Sequence, residues 1–292
     1  MELRWGMELL FSLPLEDSEQ PYAGQASYYG GVFGAVGDGF YYGRLAYEDV
    51  NGYVLREYRF TREGVLTETA TYPISDSIAV GSHRLELSYR WAHLPDSPRG
   101  VVALGSAWGF DPVRREVAAL TLDESTAYVS LRHLDVPYFY EESDFSFPPY
   151  TISHKGSFGY VCKRGGEPVW SFRTQGYLYT DMKLYGDTVV FGTAGAGGHF
   201  MALHLTDGSP VFDINTKGTD RYLTAGGRFY TYADGKKGLL SVSLDGSAET
   251  LPLLGHTDSS CPLWTDGDTL LCMSFDMKGG RYTTVRINGV KL

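Results

Sequence analysis

A phrase made of an apolar run, a glycine-containing turn and a second apolar run recurs along this chain. Its clearest copy, residues 186–214, reads GDTVVFGTAGAGGHFMALHLTDGSPVFDI, and echoes of it occupy residues 31–60, 156–172, 226–253 and 267–292. A fixed period of this kind marks one supersecondary unit stacked many times, because a single small sheet cannot bury both of its own faces.

The turns count the units. Asn-Gly, Asp-Gly and Gly-Gly pairs supply the positive φ angles that tight hairpins need, and they fall at Asn51-Gly52, Gly165-Gly166, Asp207-Gly208, Asp245-Gly246 and Asn288-Gly289. The last four are spaced 42, 38 and 43 residues apart, the length of a blade of four short strands. The interval from Gly52 to Gly166 is three such steps, which places weaker turns near residues 95–100 and 123–125. The expectation is a seven-bladed β-propeller of four-stranded antiparallel blades, all-β, in one domain over residues 1–292. Residues 286–292 (RINGVKL) end one strand past a turn, and residues 8–13 (ELLFSL) form a strand with no turn before it. The N-terminal strand is therefore expected to complete the last blade, close the ring and pair both free edges.

Composition agrees. With 36 Gly, 22 Tyr and 15 Phe in 292 residues, the chain has the turn and strand bias of an all-β protein, and no helical apolar stripe interrupts it. Acids exceed bases by ten charges, which disfavours nucleic acid or an anionic membrane as partner. Cys162, Cys261 and Cys272 are widely separated and lie in apolar strands, so they read as buried reduced thiols. The opening Met1-Glu2-Leu3-Arg4-Trp5 carries no secretory pattern and no apolar stretch is long enough to insert in a membrane. We expect a cytoplasmic protein.

The phrase at residues 186–214, and Val169-Trp170-Ser171-Phe172 within residues 156–172, resembles the pyrroloquinoline-quinone-like repeat of quinoprotein-type β-propellers. The resemblance is good over residues 156–292, fair over 26–60 and poor over 70–150, and it implies the fold alone, since such propellers include quinone-dependent dehydrogenases, a lipoprotein scaffold and other proteins. The dehydrogenases of that family face their quinone with a disulfide between adjacent cysteines; this chain has no adjacent pair, so no cofactor is expected. The WD40-like pattern fits less well, with Gly255-His256 once and no Trp-Asp dipeptide.

Chemistry is sparse. The GTAGAGG run at residues 192–198 leads into a strand rather than a helix, so it reads as a hairpin turn and not as a phosphate loop. His199 and His204, five residues apart on one strand, face opposite sides and cannot share a metal. Ser106 in GSAWG is out of register for a nucleophile elbow. The Asp266-Gly267-Asp268 turn could hold a structural calcium, though two aspartates in one turn are ordinarily just solvated.

Residues 135–150 (DVPYFYEESDFSFPPY) stand apart, with six aromatics, three prolines and an acidic group. This stretch reads either as an irregular connection packed on its neighbours or as an exposed aromatic loop suited to a protein interface. On the second reading Tyr138, Phe139, Tyr140, Glu141, Glu142, Asp144, Phe145 and Phe147 are the partner-binding candidates. The leading functional expectation is a non-catalytic binding or scaffold propeller that contacts a protein partner through loops on one face. The alternative is an enzyme or sugar-binding protein with its site at the mouth of the central channel.

Overall fold

The computed structural model describes residues 7–14, 31–48, 52–73, 77–80, 83–86, 91–93, 102–104, 108–111, 116–119, 144–156, 158–178, 180–194, 197–219, 221–233, 238–259, 261, 263–279 and 281–292. Every element named among them is a strand. After β1 (Met7–Pro14), sheet I holds β2 (Gly31–Val36), β3 (Gly39–Glu48), β4 (Gly52–Phe60) and β5 (Leu66–Pro73). A two-stranded hairpin follows, β6 (Ser77–Val80) with β7 (His83–Glu86). Sheet II is β8 (Trp91–His93), β9 (Val102–Leu104), β10 (Trp108–Asp111) and β11 (Glu116–Ala119). Sheet III is β12 (Phe145–Phe147), β13 (Tyr150–His154), β14 (Gly159–Arg164) and β15 (Glu167–Arg173). Sheet IV opens with a split first strand, β16 (Tyr177–Leu178) and β17 (Lys183–Tyr185), both pairing with β18 (Thr188–Ala194), then β19 (Gly198–His204) and β20 (Pro210–Lys217). Sheet V is β21 (Tyr222–Ala225), β22 (Arg228–Tyr232), β23 (Gly238–Ser243) and β24 (Ala248–Pro252). Sheet VI is β25 (Leu263–Thr265), β26 (Thr269–Lys278) and β27 (Arg281–Lys291), and β1 is its fourth strand, running antiparallel to β27 from Met7↔Val290 to Pro14↔Thr284.

The turn chemistry explains where strands reverse. Gly165 and Gly166 have φ of 59° and 95°, and Gly226 and Gly227 have 54° and 73°, as a two-residue hairpin requires at both positions. Two dipeptides depart from expectation. Asn288-Gly289 lies inside β27, where Asn288 pairs with both Leu9 and Cys272, because the fourth strand comes from the other end of the chain and no turn is needed. Gly52 opens β4, the third strand of sheet I, so the turn equivalent to Asp207-Gly208 in this sheet holds Gly64. The expected turns near residues 95–100 and 123–125 lie outside the described residues, which form six sheets of this kind and not seven.

Burial follows from stacking on both faces. All seven residues of β18 are buried, whereas β15 is exposed or half-buried throughout. Along β18 the side chains alternate between two cores: Val189 and Phe191 join Phe145, Ile152, Tyr160 and Cys162 of sheet III, while Val190 joins Tyr222, Phe229, Leu240 and Val242 of sheet V. A third core draws on sheets V, VI and I together, through Tyr230 and Leu239, Leu271 and Ile287, and Phe33 and Phe60. The first strands continue the series, with β2 beside both β25 and β8.

One contact repeats at these interfaces. A fourth-strand residue of one sheet packs on the positive-φ glycine that opens the fourth strand of the next. A Cβ on Gly208 (φ 72°) would lie 2.6 Å from the Trp170 ring, one on Gly246 (φ 87°) 3.2 Å from Phe212, and one on Gly64 (φ 84°) 2.1 Å from the Leu10 backbone. Trp170 also donates its indole N–H to the Leu205 carbonyl at 2.9 Å. Similar polar reaches tie the other sheets: Tyr222 Oη to the Val190 carbonyl at 3.0 Å, the Met273 N–H to Tyr232 Oη at 2.7 Å, and Arg62 of sheet I to Asp266 of sheet VI at 2.9 Å.

Gly208→Ala is expected to cost about 2–4 kcal/mol, from the left-handed backbone and from overpacking against Trp170. Gly186→Ala, where φ is 64° but nothing lies within 4 Å, is expected to cost only about 1 kcal/mol. Urea denaturation of the two variants measures the difference, and equal losses would mean that the Trp170 contact adds nothing.

Candidate functional site

Four antiparallel strands return the chain to the end of the sheet at which it entered. Turns between second and third strands therefore gather with the links between sheets at one end, and the remaining turns gather at the other. The two ends differ in chemistry.

At the turn end, carboxylates are occupied by their own turns. Asp207 accepts from the Ser209 N–H at 2.8 Å and its hydroxyl at 2.6 Å, and these bonds hold its pKa below the ordinary carboxylate value. Asp245 accepts from the Ser243 hydroxyl and the Ser247 N–H, which bring its pKa down to about 2. Burial alone would raise Asp266, but the Thr269 and Asp268 amides and Arg62 outweigh it, and the net shift is downward. One oxygen of Asp266 takes both amides and the other takes Arg62. That carboxylate is a strut between sheets I and VI. Among the described residues no group of three His, Cys, Asp or Glu is placed to hold a metal ion.

The link end is built from glycines and buried threonines. A Cβ on Gly176 would lie 2.4 Å from the Ala194 carbonyl, and one on Gly198 2.5 Å from Gly218, so these backbones touch directly. The Thr219 N–H donates to the Thr193 carbonyl at 2.9 Å and the Thr174 N–H to the Phe158 carbonyl at 2.9 Å. Thr193 Oγ1 accepts from the His199 N–H at 2.8 Å, Thr180 Oγ1 accepts from the Gly192 N–H at 2.7 Å, and Thr216 and Thr219 share a hydroxyl–hydroxyl bond at 2.8 Å. Phe158 and Lys217, the non-glycine residues with positive φ among the described residues (60° and 63°), adjoin this knot. Such outliers persist where surrounding packing over-determines the backbone.

Within the knot His199, 8% exposed, pairs through Nδ1 with an Asp213 carboxylate oxygen. The two meet diagonally, since His199 faces Asn215 and Met201 faces Asp213. Nε2 of His199 is sealed and has no hydrogen-bond partner. Register identifies the equivalent positions in sheet III, because Cys162↔Trp170 and Ala202↔Phe212 sit at matching bulges: Gly159 stands for His199 and Ser171 for Asp213. Sheet IV thus carries a histidine and its carboxylate partner where its neighbour has neither. His204 is distant on the same strand, at the turn end, 3.4 Å from Asp187, so the two histidines do not share a site, as the strand period required.

Burial holds the thiols protonated: it raises Cys162 to about 11, burial first and neighbouring negative charge second raise Cys261 well above the ordinary thiol value, and burial raises Cys272. Of the partner-binding candidates, Tyr138, Phe139, Tyr140, Glu141 and Glu142 lie outside the described residues. Asp144 is exposed just before β12. Phe145 is buried and Phe147 packs against the same core, because strand alternation in β12 turns both rings inward; these two are packing residues and not exposed loop aromatics. Sequence reading missed the His199–Asp213 pair, whose signal is the repeat itself once Gly159 and Ser171 are placed in register with it.

No protein-family model matches the chain, and no curated protein sequence matches it. Solved structures that it resembles include BamB from Moraxella catarrhalis, at 10% identity and TM-score 0.41, over 97% of both chains. A catalytically inactive virginiamycin B lyase from Staphylococcus aureus with quinupristin has 10% identity and TM-score 0.36, over 98% of this chain and 100% of that one. The dihydro-heme d1 dehydrogenase NirN has 13% identity and TM-score 0.35, over 90% of this chain and 57% of that one. All three are β-propeller proteins. Likeness at these scores transfers neither activity nor partner, and the architecture here rests on the sheets themselves.

Asp213→Ala leaves both ring nitrogens of a buried histidine without partners and is expected to lower stability by about 1–3 kcal/mol, read by equilibrium unfolding. An unchanged midpoint would show that the pair is bonded to no effect. The three thiols are expected to resist an aromatic disulfide reagent in the native protein and to react together on unfolding.

Proposed function

We propose that this protein is a non-catalytic binding module of the β-propeller class, engaging a protein partner through its link-end face. The observation that carries this reading is a projection. The hairpin β26–β27 stays paired out to Lys278↔Arg281 and β3–β4 out to Glu48↔Gly52, beyond the length at which β18–β19 and β22–β23 separate, at Gly192↔Phe200 and Tyr232↔Leu239. They belong to neighbouring sheets. Beside the first, the His256↔Phe275 bridge brings the stretch that carries Leu254 against the strand that carries Met277, and these two residues are 64% and 41% exposed. Exposed apolar groups on projecting elements are the surfaces that partners cover.

The ring belongs to the same proposal. Pairing of β1 with β27, the seating of Leu10 on Gly64, and the contact of β2 with β25 support closure of sheets I to VI around a common axis, sealed by the N-terminal strand. A count of seven asks for one unit more than the six sheets among the described residues. Buried, protonated thiols suit a reducing compartment, and we assign the protein to the cytoplasm on that ground.

Leu254→Glu with Met277→Glu tests the reading. Stability is expected to change by no more than about 0.5 kcal/mol, as at exposed sites generally, while affinity capture from the native source loses the partner retained by the wild type. Capture of the same proteins by both forms would overturn it.

A further inference from the structure

We propose that Arg221 anchors an oxyanion site at the link end, where sheets V and VI adjoin, taking a carboxylate or phosphate group. The inference goes beyond the binding reading above and does not depend on it. Arginines elsewhere in the structure are matched: Arg59 with Glu57 at 2.8 Å, Arg62 with Asp266 at 2.9 Å, Arg228 with Glu249 at 3.2 Å and Arg286 with Asp276 at 2.6 Å. Arg164 lies over the Tyr150 ring, and Arg56 and Arg173 have partners of their own. Among the arginines whose side chains are described, Arg221 is the one whose Nε is buried without a hydrogen bond. An Nε–H sealed from water with no acceptor is costly.

Its placement gives the site a shape. Arg221 directly precedes β21, whose first strand neighbours β25 of sheet VI, and the Thr231 hydroxyl donates to the Arg221 carbonyl at 2.7 Å, which fixes the backbone. The guanidinium charge is felt by the buried Tyr232 hydroxyl and the Cys261 thiol, so the inner wall is formed by groups that stay neutral. The residue as a whole is only half-buried and its terminal nitrogens are not among the sealed atoms. The edge offered to solvent is thus the Nη1/Nη2 fork, which matches two oxygens of a carboxylate or phosphate. Ser259 brings a hydroxyl to the same end, 3.6 Å from the place of a Cβ on Gly218. Asp258, the carboxylate that acts on Cys261, already has a partner.

The test is an NMR titration of the arginine Nε–H resonances of the full chain with sodium phosphate, acetate and citrate at fixed ionic strength, alongside thermal unfolding. The expected result is a saturable shift of one resonance and a rise in Tm of several degrees at saturation, both absent from Arg221→Gln and at least tenfold weaker in Arg221→Lys, which keeps the charge and loses the fork. Response to phosphate alone identifies a phosphate ligand, and response to the carboxylates alone identifies a carboxylate ligand. Arg221→Gln is expected to match or exceed the wild-type Tm without anion, because it removes a sealed N–H that has no acceptor. Should it fail to fold, the wild-type resonance and Arg221→Lys decide. A response that does not saturate, no response, or an equal response in Arg221→Gln or Arg221→Lys overturns the proposal.

Discussion

A fourth-strand residue seated on a glycine holds one sheet to the next, and the rest of the structure is arranged around that contact. Trp170 on Gly208, Phe212 on Gly246 and Leu10 on Gly64 are the same device at three interfaces. Each needs a turn whose φ is positive, so that the backbone presents a bare Cα to the neighbour, and a fourth-strand residue aimed across the gap. The device sets the spacing between sheets. That spacing lets the middle strands bury both faces, which is why β18 is apolar from end to end while β15 is exposed. The fastening from Leu10 to Gly64 carries particular weight, because it joins the last sheet, through residues supplied by the beginning of the chain, to the first.

With cohesion met by apolar stacking, the polar groups divide by end. Aspartates at the turn end bond to amides within their own turns. At the link end, threonine hydroxyls satisfy backbone that glycine contacts would otherwise leave crowded and unpaired. A buried polar network of this kind is rigid when complete and expensive where a member lacks a partner. Two atoms break the rule there, Nε2 of His199 and Nε of Arg221. The histidine is closed off from solvent, whereas the arginine keeps its outer nitrogens open, and this is the physical difference between a packed pair and a place for a ligand.

Much of the fold was legible before the structure. Apolar runs broken by Gly-Gly and Asp-Gly give the hairpins of sheets III to V, since positive φ at those positions is a local demand that glycine answers by itself. The union of β1 with β27 was legible because one end of the chain lacked a strand that the other supplied. The phase of the repeat was not. Asn51-Gly52 and Asn288-Gly289 have the composition of the same turn, yet one begins a third strand and the other lies within a strand. A dipeptide says that the backbone is free to turn there, and only pairing decides whether it does. The two readings of the aromatic stretch divide for a similar reason: Phe145 and Phe147 belong to a short strand that turns their rings to the core, and composition cannot separate an inward ring from an outward one.

The sequence by itself determined the all-β class, the antiparallel four-stranded unit and the pairing of the N-terminal strand with the last one, because these follow from local φ preference and from the need to cover two apolar faces and pair free edges. Only the tertiary structure decided which polar groups are alone. His199 and Asp213 are fourteen residues apart and meet by register, and Arg221 is set apart among the described arginines by a buried Nε without a partner, whereas Arg62 finds Asp266 two hundred and four residues away. Whether a charge is satisfied depends on distance and on what water can reach, and neither is written in the order of residues along the chain.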